Sequence, residues 1–297
     1  MAGISSIKRR TTVQELWDVY KGTHAFEKLT PASKVMYENA FTRLRKYIGN
    51  VSITTVKART CKIAYENMLE TGIVPANHGV AIANIIFNLA TEMEAISRNP
   101  WQFVKKRTPP KRKVVWTRDD LDKFLTVAYS EFRWRNVGII TQMCYAWCQR
   151  VVDMRQLTWD CIDFEANTVT FEQTKRRAQV FLPLQDDIKD VLLEQKNDFG
   201  FQEYVAPNTV PMHGKHSVYS TQGVSRRAQM IRDKAGLDPD LRISDLRRTG
   251  ITEMVDAGVD VLHIQQVSGH ANPASVMPYM KFTLKAATHA LDMRSKG

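Results

Sequence analysis

Tyr279 stands nine residues after His270, and Arg150, Lys175 and Arg247 precede both in a chain of 297 residues. A tyrosine so placed could attack a phosphodiester. Such chemistry needs an activated phenol as nucleophile, cations on the phosphate oxygens and a proton for the leaving oxygen. The segment around the tyrosine reads Ser268-Gly269-His270-Ala271-Asn272-Pro273, then Ala274-Ser275-Val276-Met277-Pro278-Tyr279, so two prolines shape the connection between imidazole and phenol.

A phosphodiester substrate requires a chain that tolerates a polyanion, and the charge distribution meets that requirement. The formal net charge is +11, and residues 1–117 hold 19 Lys+Arg against 8 Asp+Glu while the remainder is balanced. Six cations fall within residues 105–113: Lys105, Lys106, Arg107, Lys111, Arg112 and Lys113. With Pro109 and Pro110 between them, this stretch reads as a linker over residues 104–116 that also suits DNA phosphates. Arg43 and Lys46 add candidate phosphate contacts near a helix end, and Arg176 and Arg177 flank Lys175.

Composition limits the other classes. A hydrophobic content of 43% and charged content of 25% are ordinary for a globular protein of one or two domains. No uninterrupted apolar run approaches the roughly 20 residues of a membrane crossing, and the first ten residues lack a secretory h-region. No membrane association is expected, and the expected location is cytoplasmic, associated with the nucleoid. Cys61, Cys144, Cys148 and Cys161 form no Cys-x-x-Cys pair, Cys144 and Cys148 lie one helical turn apart in an apolar stretch, and all four read as reduced core residues. No Asp, Glu or His cluster has metal-ligand spacing, and no phosphate-binding Gly-x-x-x-x-Gly-Lys loop is present, so neither a metal nor another cofactor is expected.

The elements that must position these residues are mainly α-helical with a small antiparallel β-sheet. Apolar periodicity predicts helices over residues 13–20, 33–48, 55–69 and 77–97, a bundle spanning 11–103. Thr117 followed by Asp119 and Asp120 predicts a capped helix start after the linker. Residues 168–173 and 179–183 alternate with period two and predict a β-hairpin whose basic tip carries Lys175. Helical periodicity resumes at residue 225, with breaks at Gly236, Gly258 and Asn272-Pro273.

Four motifs in this order resemble the tyrosine recombinase, or phage integrase, family over most of residues 118–290. They are Cys148-Gln149-Arg150-Val151-Val152-Asp153, Lys175 on the hairpin, Ser244-Asp245-Leu246-Arg247, and the His270 to Tyr279 segment. The resemblance implies a helical core-site DNA-binding domain (11–103) and a mixed α/β catalytic domain (117–283). It also implies flanking segments: a flexible basic start (1–10), too short for a separate arm-site domain, and a tail (284–297) that docks on a neighbouring protomer. Duplex DNA held at attachment or core sites by a homotetramer, with accessory DNA-bending or directionality factors, would be the partners. The implied activity is cleavage and rejoining of DNA through a 3′-phosphotyrosine, with integration or excision of phage or mobile-element DNA as its purpose. A Xer-type resolvase, a type IB topoisomerase-like enzyme and a catalytically impaired DNA-binding relative are the alternatives.

In that scheme Arg150 and Arg247 clamp the nonbridging oxygens, because guanidinium offers paired donors and keeps its charge. Lys175 protonates the leaving oxygen, His270 hydrogen-bonds the phosphate, and Asp153 orients neighbouring backbone or Arg247. Ser244 departs from the family pattern, which has histidine three residues before the second arginine. A hydroxyl binds phosphate but is a poor base near neutral pH.

Overall fold

The computed structural model describes Ile7 and residues 10–110, 112–175, 177–211, 213–270 and 272–279, with 288, 291–292 and 294–295. Lys111, Arg176, the side chain of Tyr279, most of the basic start and most of the tail therefore lie outside the described residues. The chain divides into two compact units, residues 1–112 and 113–297.

The first unit is a bundle of α1 (Val13–Lys21), α2 (His24–Glu27), α3 (Pro31–Ile48), α4 (Ala58–Met68) and α5 (Ile73–Glu92). Thr12 and Glu15 form a capping box at α1, while Thr30 and Pro31 start α3 with a side-chain cap and a ring that fits the first turn. Trp17 stacks on Phe41 at 4.6 Å between centroids, and α5 fills the centre with Val80, Ile82, Ile86 and Phe87.

Helix α5 begins at Ile73 and ends at Glu92, against the expected 77–97. Pro75 falls in the first turn, where the missing N–H costs nothing, and the left-handed Glu94 (φ 56°) prevents continuation. By length and composition alone α5 is long and apolar enough to cross a membrane, yet Asn77, His78, Asn84 and Asn88 interrupt its apolar run. Its place is the bundle core, where Tyr65 donates to Asn77 at 2.8 Å and Asn99 donates to the side-chain oxygens of Asn84 and Asn88.

The basic stretch after the bundle is anchored rather than loose. The Arg107 backbone N–H donates to the Tyr65 hydroxyl at 2.6 Å, its carbonyl accepts from Asn77 at 2.8 Å, and its guanidinium pairs with Glu66 at 2.7 Å.

The second unit holds α6 (Arg118–Tyr129), α7 (Phe132–Ala146), α8 (Val151–Met154), β1 (Ile162–Asp163), β2 (Thr168–Glu172), β3 (Gln179–Pro183), α9 (Asp186–Phe199), α10 (Thr221–Lys234), α11 (Leu246–Asp256) and α12 (Val261–Ser268). Thr117 and Asp120 cap α6 reciprocally, as the sequence predicts. The expected hairpin forms, with Thr168↔Pro183 through Glu172↔Gln179 paired, and β1 adds a third antiparallel strand that two residues are too few to announce.

Helix α7 lies at the centre of this unit, with Trp134, Val137, Ile140, Met143 and Cys144 all buried. Trp116, from the end of the expected linker, is a core residue here: its backbone N–H donates to Thr249 and its indole to the Arg242 carbonyl, both at 3.0 Å.

Candidate active site

Arg150 sits immediately before α8, and Arg247 lies in the first turn of α11, a helix pressed against the end of α7. Gly250 permits that approach, since a Cβ there would come within 2.4 Å of the Cys148 sulfur. Between α7 and α8, Cys148 adopts φ 51°, a conformation that costs a non-glycine residue about 1–3 kcal/mol. Its carbonyl accepts from Arg247 Nη1 at 3.1 Å, so the strained turn serves as an anchor for the guanidinium. Burial pushes the Cys148 thiol up to about 12, against the opposing field of Arg247. The sulfur stays a neutral packing group.

His270 completes this corner. Gly269, left-handed at φ 64°, ends α12 and turns the chain so that His270 Nε2 lies 3.1 Å from Arg247 Nη2. Arginine has no acceptor, so Nε2 must accept and Nδ1 carries the proton. That proton points at Ser268 Oγ, 2.7 Å away, and Ser268 in turn donates to the Ile264 carbonyl at 2.6 Å. Arg247 and His270 are each only 8% exposed, which makes their geometry stiff.

Arg150 Nη1 donates to Gln173 Oε1 at 2.8 Å and lies 3.8 Å from Asp153 Oδ2. Asp153 does orient backbone, because its Oδ1 accepts the Thr174 N–H at 2.8 Å. The arginine it pairs with, however, is Arg150, where the sequence pointed to Arg247. Gln149 joins the two arginines: its Oε1 accepts from Gln173 at 2.7 Å and faces Arg247 Nη1 at 3.5 Å.

Lys175 differs from these groups. It is exposed in the hairpin turn, beside Thr174, which accepts from Gln156. Ser244 is exposed in the short helical turn Ile243–Asp245 and opens on a cavity of about 670 Å³ that also meets Thr221, Ser225 and Gln229. Tyr279 lies in the turn Met277–Tyr279, which packs on α11, the helix that carries Arg247. Val276 fixes that turn by inserting into a small cluster with Cys148, Ile251 and Ile264.

The structure thus gathers Arg150, Arg247, His270 and Asp153 into one hydrogen-bonded cluster, leaves Lys175 and Ser244 exposed, and brings the Tyr279 backbone to the same helix. Gln149, Gln173 and Ser268 were not anticipated. Gln173 carried a usable signal, being the next inward position of β2 after Val169 and Phe171.

Of the candidate phosphate contacts, Lys46, Lys105, Lys106 and Lys113 are exposed, and Arg112 is half-buried. Arg43 donates to the Asn39 carbonyl on its own helix, and Arg177 pairs with Glu172 at 3.0 Å. Exposed pairs such as Arg107 with Glu66 and Arg177 with Glu172 are weak, so phosphate can displace their carboxylates. Among the described residues no three His, Cys, Asp or Glu side chains converge on a possible metal position.

An all-helical first unit, joined to a second that combines helices, a three-stranded antiparallel sheet and a cluster of partly buried Arg150 with buried Arg247 and His270, is the architecture of a tyrosine recombinase. A lambda integrase dimer bound to a COC′ core site superposes with TM-score 0.78 at 17% identity, covering 91% of this chain and 77% of that one. A lambda integrase tetramer bound to a Holliday junction gives 0.76 at 17% identity over 89% of this chain and 78% of that one. The Tn1549 transposon integrase in complex with a circular intermediate DNA gives 0.76 at 17%, over 95% and 99%. No curated protein sequence matches the chain. The family model described as "Phage integrase family" matches residues 115–285, and the chain belongs to that family, the tyrosine recombinases, which cleave and rejoin DNA strands.

Proposed function

We propose that this recombinase is an integrase, cutting and rejoining duplex DNA at specific sites through a 3′-phosphotyrosine and so moving phage or other mobile-element DNA into or out of a chromosome. The observation that carries the reading is the hydrogen-bonded convergence of partly buried Arg150 with buried Arg247 and His270 beside α11, the helix on which the Tyr279 turn packs.

Attack by the Tyr279 oxygen on phosphorus builds charge on two nonbridging oxygens while the bond to the 5′-oxygen breaks. Arg150 and Arg247 meet that charge from positions already fixed by Gln173, Gln149 and the Cys148 carbonyl, so little reorganisation is needed in the transition state. His270 stiffens Arg247 by accepting from its Nη2, and it donates to the phosphate once Nε2 turns from Arg247 and carries a proton. Lys175 gives its proton to the departing 5′-oxygen, and Tyr279 loses its own to water under the field of the two guanidiniums, which must offset the reluctance of a free phenol, of pKa about 10, to ionise. Ser244 supplies no base. Because the phosphotyrosine conserves the bond, a 5′-hydroxyl from a partner strand reverses the step without ATP.

The cations of residues 43–46 and 105–113, with the hairpin arginines, supply affinity for the DNA backbone. Mobile-element DNA is favoured by the complexes in which the lambda and Tn1549 integrases were solved, core site and circular intermediate respectively. By analogy with the lambda tetramer on a Holliday junction, four copies act on two sites.

The test is a nicked duplex that traps the covalent step, built from the junction sequences that flank the gene and footprinted by the protein. Wild type should yield a protein-DNA adduct on denaturing gels, and Tyr279→Phe should yield none. Absence of adduct on a footprinted site would overturn the proposal.

A further inference from the structure

The Lys175 hairpin is open at its tip and locked at its base, and one side chain makes the lock. Gln173 is wholly buried at 0% exposure. Its backbone closes the turn, with its N–H donating to the Ala178 carbonyl and its own carbonyl accepting from Arg177, each at 2.9 Å. Its side chain reaches three residues on two other segments: Oε1 accepts from Arg150 at 2.8 Å, and Nε2 donates to Gln149 Oε1 at 2.7 Å and to the Ser268 carbonyl at 3.0 Å. Two oxygens at one end and a guanidinium at the other fix the amide orientation, and both amide hydrogens are used.

We propose that Gln173 is the positioning residue of the proton-donating hairpin, holding Lys175 in register with the Arg150, Arg247 and His270 cluster so that acid and clamp form one rigid piece. The inference rests on the recombinase reading above and names a role for a residue outside the reacting groups. Two further observations support it. Gly269 brings backbone so near this amide that a Cβ would fall 2.5 Å from Gln173 Nε2, so the α12 end is shaped around it. Thr174, the residue between Gln173 and Lys175, is held through its N–H by Asp153, which also pairs with Arg150. Both residues before the lysine are therefore tied to the same arginine.

Proton transfer requires the donor within about 3 Å of the leaving oxygen, and a displacement of about 1 Å costs about 100-fold in rate. Gln173→Met keeps the side-chain length and removes every polar contact. On a nicked duplex its adduct formation should be about 100-fold slower than wild type, with DNA binding intact. When the bridging 5′-oxygen is replaced by sulfur, the leaving thiolate, of pKa about 8.5, needs no acid. The deficit should then shrink by about tenfold or more, the remainder coming from Arg150, which loses the same amide acceptor, while the deficit of Lys175→Ala assayed beside it should shrink below about tenfold.

Equal deficits on the two duplexes, or no deficit on either, overturn the positioning role. If Gln173→Met does not fold, Gln173→Glu retains the shape and the acceptor for Arg150 while turning an oxygen toward Gln149 and Ser268, and the same pair of duplexes decides. A wild type that forms no adduct overturns the recombinase reading itself, whereas wild-type adduct with indifferent Gln173 variants overturns this role alone.

Discussion

Arg247 and Lys175 are cations assigned to one phosphate, yet the first is buried among acceptors and the second stands in solvent at a hairpin tip. Their chemistry explains the contrast. A guanidinium keeps its charge wherever it is placed, so it can be buried provided that groups such as the Cys148 carbonyl and His270 Nε2 satisfy its donors. An ammonium buried without DNA would lose its proton and with it the means of acting as an acid. In the proposed mechanism the clamp is thus built before substrate arrives, while the acid is only aimed.

The largest effect that would sharpen this contrast is expected from Arg247→Ala. Adduct formation should fall by about 1000-fold, and thermal unfolding should come earlier, because the Cys148 carbonyl and the His270 ring lose their donor. Lys175→Ala should slow cleavage by about 100-fold and leave stability within about 0.5 kcal/mol in urea melts. Comparable destabilisation by both variants would erase the distinction between buried clamp and exposed acid.

Gly269→Ala comes next, since it adds strain at φ 64° and forces a methyl toward the Gln173 amide. It should cost about 1–3 kcal/mol of stability, measured by denaturant unfolding, together with part of the activity. Ser244→His, on the exposed rim of the site, should keep cleavage at the wild-type rate or raise it by up to about tenfold. A strong loss in the adduct assay would argue against placing Ser244 at the family's histidine position.

The smallest effect concerns the thiols. Burial pushes Cys61 and Cys148 up to about 12, so both remain protonated at pH 8 and poor nucleophiles. Half-buried Cys161 should take up iodoacetamide first by mass spectrometry, with cleavage unchanged at that stage. Early labelling of Cys148 would show the Arg247 corner to be looser than its contacts suggest.

The charged parts of the site were legible in the sequence because arginine, lysine, histidine and tyrosine announce chemistry by type, and their order is that of a known family. The hairpin was legible from the alternation of Val169 and Phe171 with exposed residues. Gln149, Gln173 and Ser268 escaped notice because neutral amides and hydroxyls are common on surfaces. Only their burial, which depends on how α12 meets the hairpin, reveals that they carry the network. The early start of α5 was hidden for a related reason: Pro75 resembles a boundary until the helix's unpaired first-turn donors are counted.

Val276 has a consequence for how the tyrosine's segment behaves over time. Among the described residues it forms, with Cys148, Ile251 and Ile264, a cluster of four buried residues distinct from the large core around α7. So small an apolar contact contributes about 2 kcal/mol per buried side chain, well short of what holds a whole domain together. Amide hydrogens near residues 274–279 should therefore exchange through local opening while α7 remains protected. In the proposed scheme, the polypeptide that carries the nucleophile can then lift from its seat without melting the enzyme around it.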